Sequence, residues 1–361
     1  MATGHFLGDT GTFSHTIYAA FAVKSAGGGQ TPFIENDPIL GEVDAHFSGN
    51  FVDEDSILFI ARNQGFSTAA IGKLGPALMF DHTERSGEST ILVDDATGSP
   101  AGIPLSPAMK DALAAAGLPL AAPSRGANGK AGDSKAPGTV VANVAQQGYF
   151  ADVAAKVILP MFKARNKPFV LVFWSRDPDG TQHNQGDSLL NVTPGINGPT
   201  SLAAIKNADD NLAMLRTALD DLGLAANTDI VLAADHGFST ISKESKASPA
   251  AKAEYKDVPA GLLPSGFVAL DLSKALGLPL NDPDNKNAPI ADGAYPKRGN
   301  GLIGTDPTKP DVVVAANGGS DLVYIPSKNL ALTTKVVDAL LAQDYVSGLF
   351  VDSEIGAIPG T

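Results

Sequence analysis

Two short apolar runs constrain this fold more than any other feature of the chain: FVLVFW at residues 169–174 and DIVLAA at residues 229–234. Each run has the length of one strand, and each follows a segment in which apolar residues recur at helical spacing. Strands that are apolar along their whole length lie inside a sheet with helices on both faces, as in parallel α/β folds. We therefore predict an α/β fold with a mainly parallel sheet, in which both runs are central strands.

The remaining pattern predicts further helices and strands. The first part of the chain predicts a strand at residues 66–73 and helices that end near Gly65 or span residues 106–118, 149–166 and 200–223. Ser106 is expected to cap its helix, and Pro160 to kink the helix around it. After Pro259 the pattern is weaker and favours strands at residues 266–272, 311–317, 321–326 and 348–353 and a helix at 334–343.

Two segments are rich in proline, glycine and polar residues. Residues 118–146 are typical of a long surface loop or lid, and residues 276–310 of a second insertion. We expect both to belong to a single domain that covers residues 1–361.

Composition excludes several classes of function. A formal net charge of −13 argues against general binding to nucleic acid or to an anionic membrane. No apolar run approaches the length of about 20 residues that spans a bilayer. The chain has no cysteine, so disulfides, Cys-ligated zinc and thiol catalysis are excluded.

Two loops that follow the apolar runs carry the residues of chemical interest. RDPDGTQH follows the first run and contains Asp179 and His183, and ADHG ends the second and contains Asp235 and His236. Either loop by itself is also typical of a polar turn. The carboxyl ends of parallel strands open into the sites of α/β sheets, and carboxylate and imidazole groups are ligands that zinc accepts. Two Asp/His pairs in such loops therefore favour a metal site.

These segments resemble the type I phosphodiesterases and nucleotide pyrophosphatases of the alkaline phosphatase superfamily. RDPDGTQH is similar to their Glu-Pro-Asp-x-x-Gly-His segment, with Gln182 in place of the usual glycine, and AADHGF to their Asp-His-Gly segment. The opening ATGHFLGDTG resembles the stretch just after their nucleophile. The resemblance implies an alkaline phosphatase-like three-layer sandwich that hydrolyses phosphate esters or nucleotides.

The resemblance also implies a two-zinc site. Asp179 and His183 would hold one zinc, and Asp235 and His236 the other; another divalent metal is an alternative. In such sites two ions about 4 Å apart clamp the phosphoryl group. Lys73, at the end of a predicted strand, is a candidate for contacting the substrate phosphate, with an ordinary surface lysine as the alternative.

Other parts of the family pattern have no counterpart in this sequence. Family members place a Thr or Ser nucleophile and a metal-binding Asp before the segment that resembles ATGHFLGDTG, and one more His ligand near the C-terminus, whereas this chain has no His after His236. The expectation is a catalytic domain that is incomplete at both termini, with its nucleophile outside the chain and with little activity by itself. The catalytic residue is unknown, and substitutes would have to come from the loop hydroxyls Thr3, Thr10, Thr12 and Ser14.

Other functions remain open at the level of sequence. Within the superfamily, a phosphoglycerate mutase-like or sulfatase-like enzyme is an alternative. From a different class, the chain is a non-catalytic fragment or pseudoenzyme that keeps part of a metal site. The family is commonly periplasmic or extracellular, but no export signal is visible here, so the localisation stays open.

Overall fold

The computed structural model of the chain describes residues 1–130, 138–183, 198–239 and 243–361. The fold divides into two compact units, one made of Met1–Phe13 and Glu35–Thr240, the other of Ser14–Ile34 and Ile241–Thr361. The assignment of one catalytic domain to the whole chain stays a prediction.

The first unit is built on a parallel three-stranded sheet. Its strands are Ser67–Gly72 (β1), Thr90–Asp94 (β2) and Phe169–Trp174 (β3), in the order β2–β1–β3. The central strand β1 is buried at every residue and confirms the strand predicted at 66–73. Because β1 pairs in parallel with both neighbours, the three carboxyl ends lie along one edge of the sheet.

The prediction of two central strands is wrong in two respects. FVLVFW forms β3, but β3 lies at one edge of this sheet within the described part of the chain. Residues 229–234 form no strand, and Val231 and Leu232 are 89% and 81% exposed. An apolar run becomes a strand only where a neighbouring strand supplies hydrogen-bond partners, and 229–234 makes no backbone hydrogen bond to the described residues.

Helices of the first unit include the four that the sequence predicted and several shorter ones that it did not. They comprise Leu7–Thr10 (α1), Asp37–His46 (α2), Ile57–Asn63 (α3), Pro76–Met79 (α4), Pro107–Ala115 (α5), Val144–Val153 (α6), Leu159–Arg165 (α7), Asp179–Gln182 (α8) and Pro199–Asp221 (α9). Ser106 caps α5, as predicted, by accepting a hydrogen bond from the Met109 amide at 3.2 Å. A π-helical turn at Ala154–Ile158 joins α6 to α7, and the kink predicted at Pro160 stays a prediction. Proline cannot donate to the helical ladder, and the irregularity falls in the turn before it.

Apolar side chains pack on both faces of the three-stranded sheet. Ile71 and Val93 face a cluster that includes Phe150 and Phe162 from α6 and α7. Ala70, the neighbour of Ile71, points to the opposite cluster with Leu40 and Leu58. Side chains alternate between the faces of a strand, so this unit is an α/β arrangement, as predicted.

The second unit contains an antiparallel sheet, which differs from the predicted mainly parallel arrangement. Its strands are Leu280–Asp282 (β4), Ala288–Pro289 (β5), Gly301–Ile303 (β6), Val312–Ala316 (β7) and Asp321–Tyr324 (β8), in the order β5–β4–β6–β7–β8. Residues 276–310, which we expected to be an insertion, supply three of these strands, and Leu302 and Ile303 are fully buried. These strands are only two or three residues long and lie among prolines and polar residues, so the composition of the segment does not predict them.

Helices of the second unit are Pro249–Lys252 (α10), Phe267–Leu276 (α11) and Leu330–Leu341 (α12). Helix α12 confirms the helix predicted at 334–343, and β7 and β8 confirm the strands at 311–317 and 321–326. The strand predicted at 266–272 is wrong, because this run forms α11. An apolar run of seven residues does not distinguish a strand from a buried helix, and here Val268, Ala269 and Leu272 point to the core at helical spacing.

The strand predicted at 348–353 is also wrong. The segment contains no strand and leads into a 3₁₀ turn at Ser353–Ile355. Phe350 is 95% exposed, so its apolar side chain contributes nothing to a sheet.

The segment 118–146, predicted as a surface loop or lid, is partly helical. This segment contains a 3₁₀ turn at Gly126–Gly129 and the start of α6, while residues 131–137 lie outside the described residues. Among the described helices, none is both long and apolar enough to cross a membrane.

Candidate metal centre

The candidate site lies at the carboxyl ends of the strands of the first unit. The loop after β3 leads into the short helix α8, which begins at Asp179 and is followed by His183. Residues four apart lie on the same side of a helical turn. The Asp179 Oδ1 atom is accordingly 3.2 Å from His183 Nε2.

The second predicted segment reaches the same carboxylate. His236 Nε2 lies 3.5 Å from Asp179 Oδ1 and 3.7 Å from Asp235 Oδ2. The structure therefore brings the four side chains that the sequence singled out to one place, although residues 229–234 before them are not a strand. Their role as metal ligands stays a prediction.

Asp179 Oδ1 is the centre of this group. The atom is buried and lies 3.2 Å from His183 Nε2 and 3.5 Å from His236 Nε2, whereas the side chains of His183, His236 and Asp235 are about half exposed. A buried carboxylate oxygen that faces two imidazole nitrogens suits an ion pair with them or a cation bound by all three groups. Nevertheless, the described residues contain no group of three or more His, Asp or Glu side chains already arranged as metal ligands. The side chains approach one carboxylate oxygen, but they do not form a complete coordination shell.

Neighbouring side chains stabilise the ionised form of Asp179. Burial acts to raise the pKa of Asp179, but contacts with His183 and Lys73 outweigh it and lower the pKa to about 2. Lys73 Nζ lies 3.3 Å from Asp179 Oδ2 and 3.3 Å from Glu35 Oε2. The Asp179 carboxylate is thus ionised at neutral pH, as a metal ligand must be.

Lys73 is not the ordinary surface lysine that the sequence left as an alternative. It follows β1 directly, and its side chain is only 12% exposed. Its ammonium group bridges two carboxylates, Glu35 and Asp179, at the edge of the candidate site. Whether it contacts a substrate phosphate stays a prediction.

Phe238 is a site residue that the sequence analysis missed. Its ring lies 4.9 Å from the His183 ring in an edge-to-face arrangement and 5.4 Å from the His236 ring. The phenyl group therefore packs against both imidazoles and restricts their orientation. Its position two residues after His236 carried no signal of this contact.

Asp177 fixes the loop that carries Asp179. Its side chain is 1% exposed and accepts hydrogen bonds from Thr181 Oγ1 at 2.7 Å, the Asn143 amide at 2.8 Å and Asn207 Nδ2 at 3.1 Å. A buried carboxylate that accepts three hydrogen bonds acts as a rigid anchor for the loop. Asp177 is therefore buried and hydrogen-bonded, not a solvated side chain of the loop.

Three hydroxyls near the N-terminus make hydrogen bonds to backbone groups. Thr10 Oγ1 donates to the Leu7 carbonyl at 3.0 Å, and Thr12 Oγ1 to the Phe51 carbonyl at 3.2 Å. Thr3 Oγ1 accepts from the His5 amide at 3.2 Å. These contacts are those of an ordinary loop, and the catalytic nucleophile stays unassigned.

Comparison with known families agrees with the resemblance seen in the two Asp/His segments. The profile of the family described as type I phosphodiesterase / nucleotide pyrophosphatase matches residues 1–324 of the 361 residues. The chain belongs to this family. Its members include phosphodiesterase and nucleotide pyrophosphatase-type hydrolases, which are generally metal-dependent and act on small phosphate esters or nucleotides. No curated protein and no solved structure gives a significant match.

Proposed function

We propose that the site around Asp179 belongs to a zinc-dependent hydrolase of phosphodiesters, and that Asp179, His183, Asp235 and His236 are the metal ligands this chain supplies. The observation that carries the proposal is the approach of both His183 Nε2 and His236 Nε2 to the buried Asp179 Oδ1, at 3.2 and 3.5 Å. Two loops far apart in sequence thus bring imidazole nitrogens to one carboxylate oxygen, which is the arrangement that a shared metal ion requires.

Each residue has a part in holding the site. Asp179, ionised and fixed by Lys73, offers one oxygen to the metal, while the half-exposed His183, His236 and Asp235 adjust around it. Bound zinc supplies Lewis-acid stabilisation of the phosphoryl oxygens. We propose that Lys73, beside this carboxylate, also faces the substrate phosphate. The proposal also includes a second zinc and a Thr or Ser nucleophile. It further includes a preference for phosphodiesters over phosphomonoesters and sulfate esters.

Zinc binding is the primary test, because it reports on the proposed ligands directly. We expect titration calorimetry to detect zinc binding to the wild-type chain and a loss of affinity of at least tenfold, or about 1.4 kcal/mol, in His236→Ala. His46→Ala is the matched control, since His46 is exposed on α2, and it should bind zinc like the wild type. Equal affinity in wild type and His236→Ala would refute the assignment of ligands.

Turnover separates the proposed reaction from its alternatives. The chain with added zinc is assayed on bis-p-nitrophenyl phosphate, p-nitrophenyl phosphate and p-nitrophenyl sulfate. The proposal expects whatever turnover is found to be highest on the diester and to disappear in Asp235→Ala and with a chelator. Zinc binding without any turnover would support the non-catalytic alternative, and a preference for the monoester or the sulfate would move the chain to another branch of the superfamily.

A further inference from the structure

Two arginines converge on the residue that follows the candidate ligand Asp179. A β-carbon added at Gly180 would lie 2.7 Å from Arg176 Cγ and 3.0 Å from Arg125 Nη2. Arg176 comes from the loop after β3, and Arg125 from the segment 118–146. Two long cationic side chains thus flank the backbone of α8 next to the candidate site.

Only one of the two arginines has a carboxylate partner in the described part of the chain. Arg176 Nη2 donates to Asp95 Oδ2 at 2.7 Å. Arg125 donates only to neutral oxygens, from Nε and Nη2 to Asn128 Oδ1 at 2.9 and 2.7 Å and from Nη2 to the Gly180 carbonyl at 2.6 Å. Arg125 thus makes no direct ion pair among the described residues, although the charges of Asp95, Asp177 and Asp179 act on it from further away.

The electrostatic surroundings of Arg125 agree with this picture. Burial, followed by the positive charge of Arg176, lowers the pKa of Arg125 by more than the charges of Asp95, Asp177 and Asp179 raise it. The two guanidinium groups therefore repel each other, and an anion that contacts both would reduce this repulsion.

Both guanidinium groups keep unused donors. Arg125 Nη1 has no hydrogen-bond partner among the described residues, and Arg176 Nε is buried without an acceptor there. Asn128, itself 1% exposed, fixes the Arg125 fork and donates to Thr181 Oγ1 at 2.8 Å. The free edge of Arg125 is thus held in one orientation, and a guanidinium edge matches the oxygens of a phosphate group.

We propose that Arg125 and Arg176 form an oxyanion-binding position, which receives a phosphate-type group of the substrate beside the candidate metal ligands. In relation to the proposed function, it selects substrates that carry a second anionic group next to the scissile phosphodiester. The binding position itself depends on the arginines and not on metal.

The test measures anion binding without metal or turnover. Inorganic pyrophosphate is titrated into the wild-type chain at low ionic strength with a chelator present, and binding is followed by calorimetry. We expect Arg125→Gln to weaken pyrophosphate binding at least about tenfold, the loss typical of charge-assisted hydrogen bonds. Arg216→Gln removes the same charge from an exposed position on α9 and should bind like the wild type within about twofold.

Arg125→Lys guards against a folding defect in Arg125→Gln. It keeps the charge but loses the planar fork, and we expect binding between that of the wild type and of Arg125→Gln, with the Trp174 fluorescence of the folded chain preserved. Wild-type affinity in the folded Arg125→Gln variant, or no pyrophosphate binding by the wild type, overturns the proposal. Failure of the proposed hydrolysis would show instead in zinc binding and turnover, which this titration does not use.

Discussion

At the scale of single residues, the candidate site depends on buried polar side chains that carry no recognisable pattern in the sequence. The Asp/His spacing predicted the four candidate ligands, but not the groups that hold them. Glu35, which is distant in sequence, forms an ion pair with Lys73. Phe238 packs against His183 and His236, and nothing in its sequence context indicates this contact. Asp177, beside the predicted ligand, is the anchor whose removal should show how far the loop depends on buried hydrogen bonds.

We expect Asp177→Ala to destabilise the first unit by about 3 kcal/mol, because it leaves the donors of Thr181, Asn143 and Asn207 buried without an acceptor. The measurement is guanidinium unfolding followed by the fluorescence of Trp174, the only tryptophan of the chain. Zinc affinity should fall as well, since the loop that carries Asp179 loses its anchor.

The control for this change is Asp210→Ala, which removes an exposed carboxylate paired with Lys206 on α9. It should change stability by no more than about 0.5 kcal/mol. Equal stability of Asp177→Ala and the control would show that the buried network contributes little.

At the scale of secondary-structure elements, burial separates two apolar runs of similar length. β2 and residues 229–234 are both short apolar runs, yet Val93 in β2 is fully buried whereas Val231 is 89% exposed. The ladder with β1 places Val93 between its neighbours, and no such ladder holds Val231.

The same substitution at both positions tests this difference. Val93→Thr buries a hydroxyl in a packed core and should cost about 1–3 kcal/mol, whereas Val231→Thr should stay within about 0.5 kcal/mol of the wild type. Unfolding is again followed by Trp174 fluorescence. A cost at Val231 that equals the cost at Val93 would show that residues 229–234 are packed in solution.

At the scale of the whole molecule, acidic groups inside the first unit link its stability to pH. Asp37 and Asp94 are both buried and lie close enough to influence each other's protonation. Burial, and after it the charge of Asp37, raises the pKa of Asp94 to about 8. The buried pair therefore favours the protonated form over much of the neutral range.

We expect the stability of the first unit to fall between pH 5 and pH 8.5 and Asp94→Asn to flatten this fall. Unfolded Asp94 loses its proton near pH 4, while the folded group keeps it to about pH 8, so unfolding releases a proton in this window. The stabilisation is fully present below pH 4 and is lost as the pH rises through 8. Asparagine imitates the neutral acid and keeps the oxygen that accepts from the Ala96 amide.

Guanidinium midpoints from Trp174 fluorescence across this range measure the effect. Asp111→Asn, at an exposed position on α5, should keep the wild-type pH dependence. A fall in Asp94→Asn as steep as in the wild type would assign the pH dependence to other groups.

Local patterns in the sequence determined much of this protein. The cap at Ser106, the helix at 199–221, the strands β1, β3, β7 and β8, and the two Asp/His loops all follow from residue types within about 20 positions of one another. Such features depend on backbone propensity, capping and periodicity, which neighbouring residues alone decide.

Only the tertiary structure decided the rest. It made a helix of residues 267–276, left 229–234 exposed, and placed Glu35, Phe238 and Arg125 around α8. These outcomes depend on which distant segment supplies a hydrogen-bond ladder, a packing partner or a counter-charge. Because such partners are separated by tens to hundreds of residues, no local window of the sequence contains the interaction that selects them.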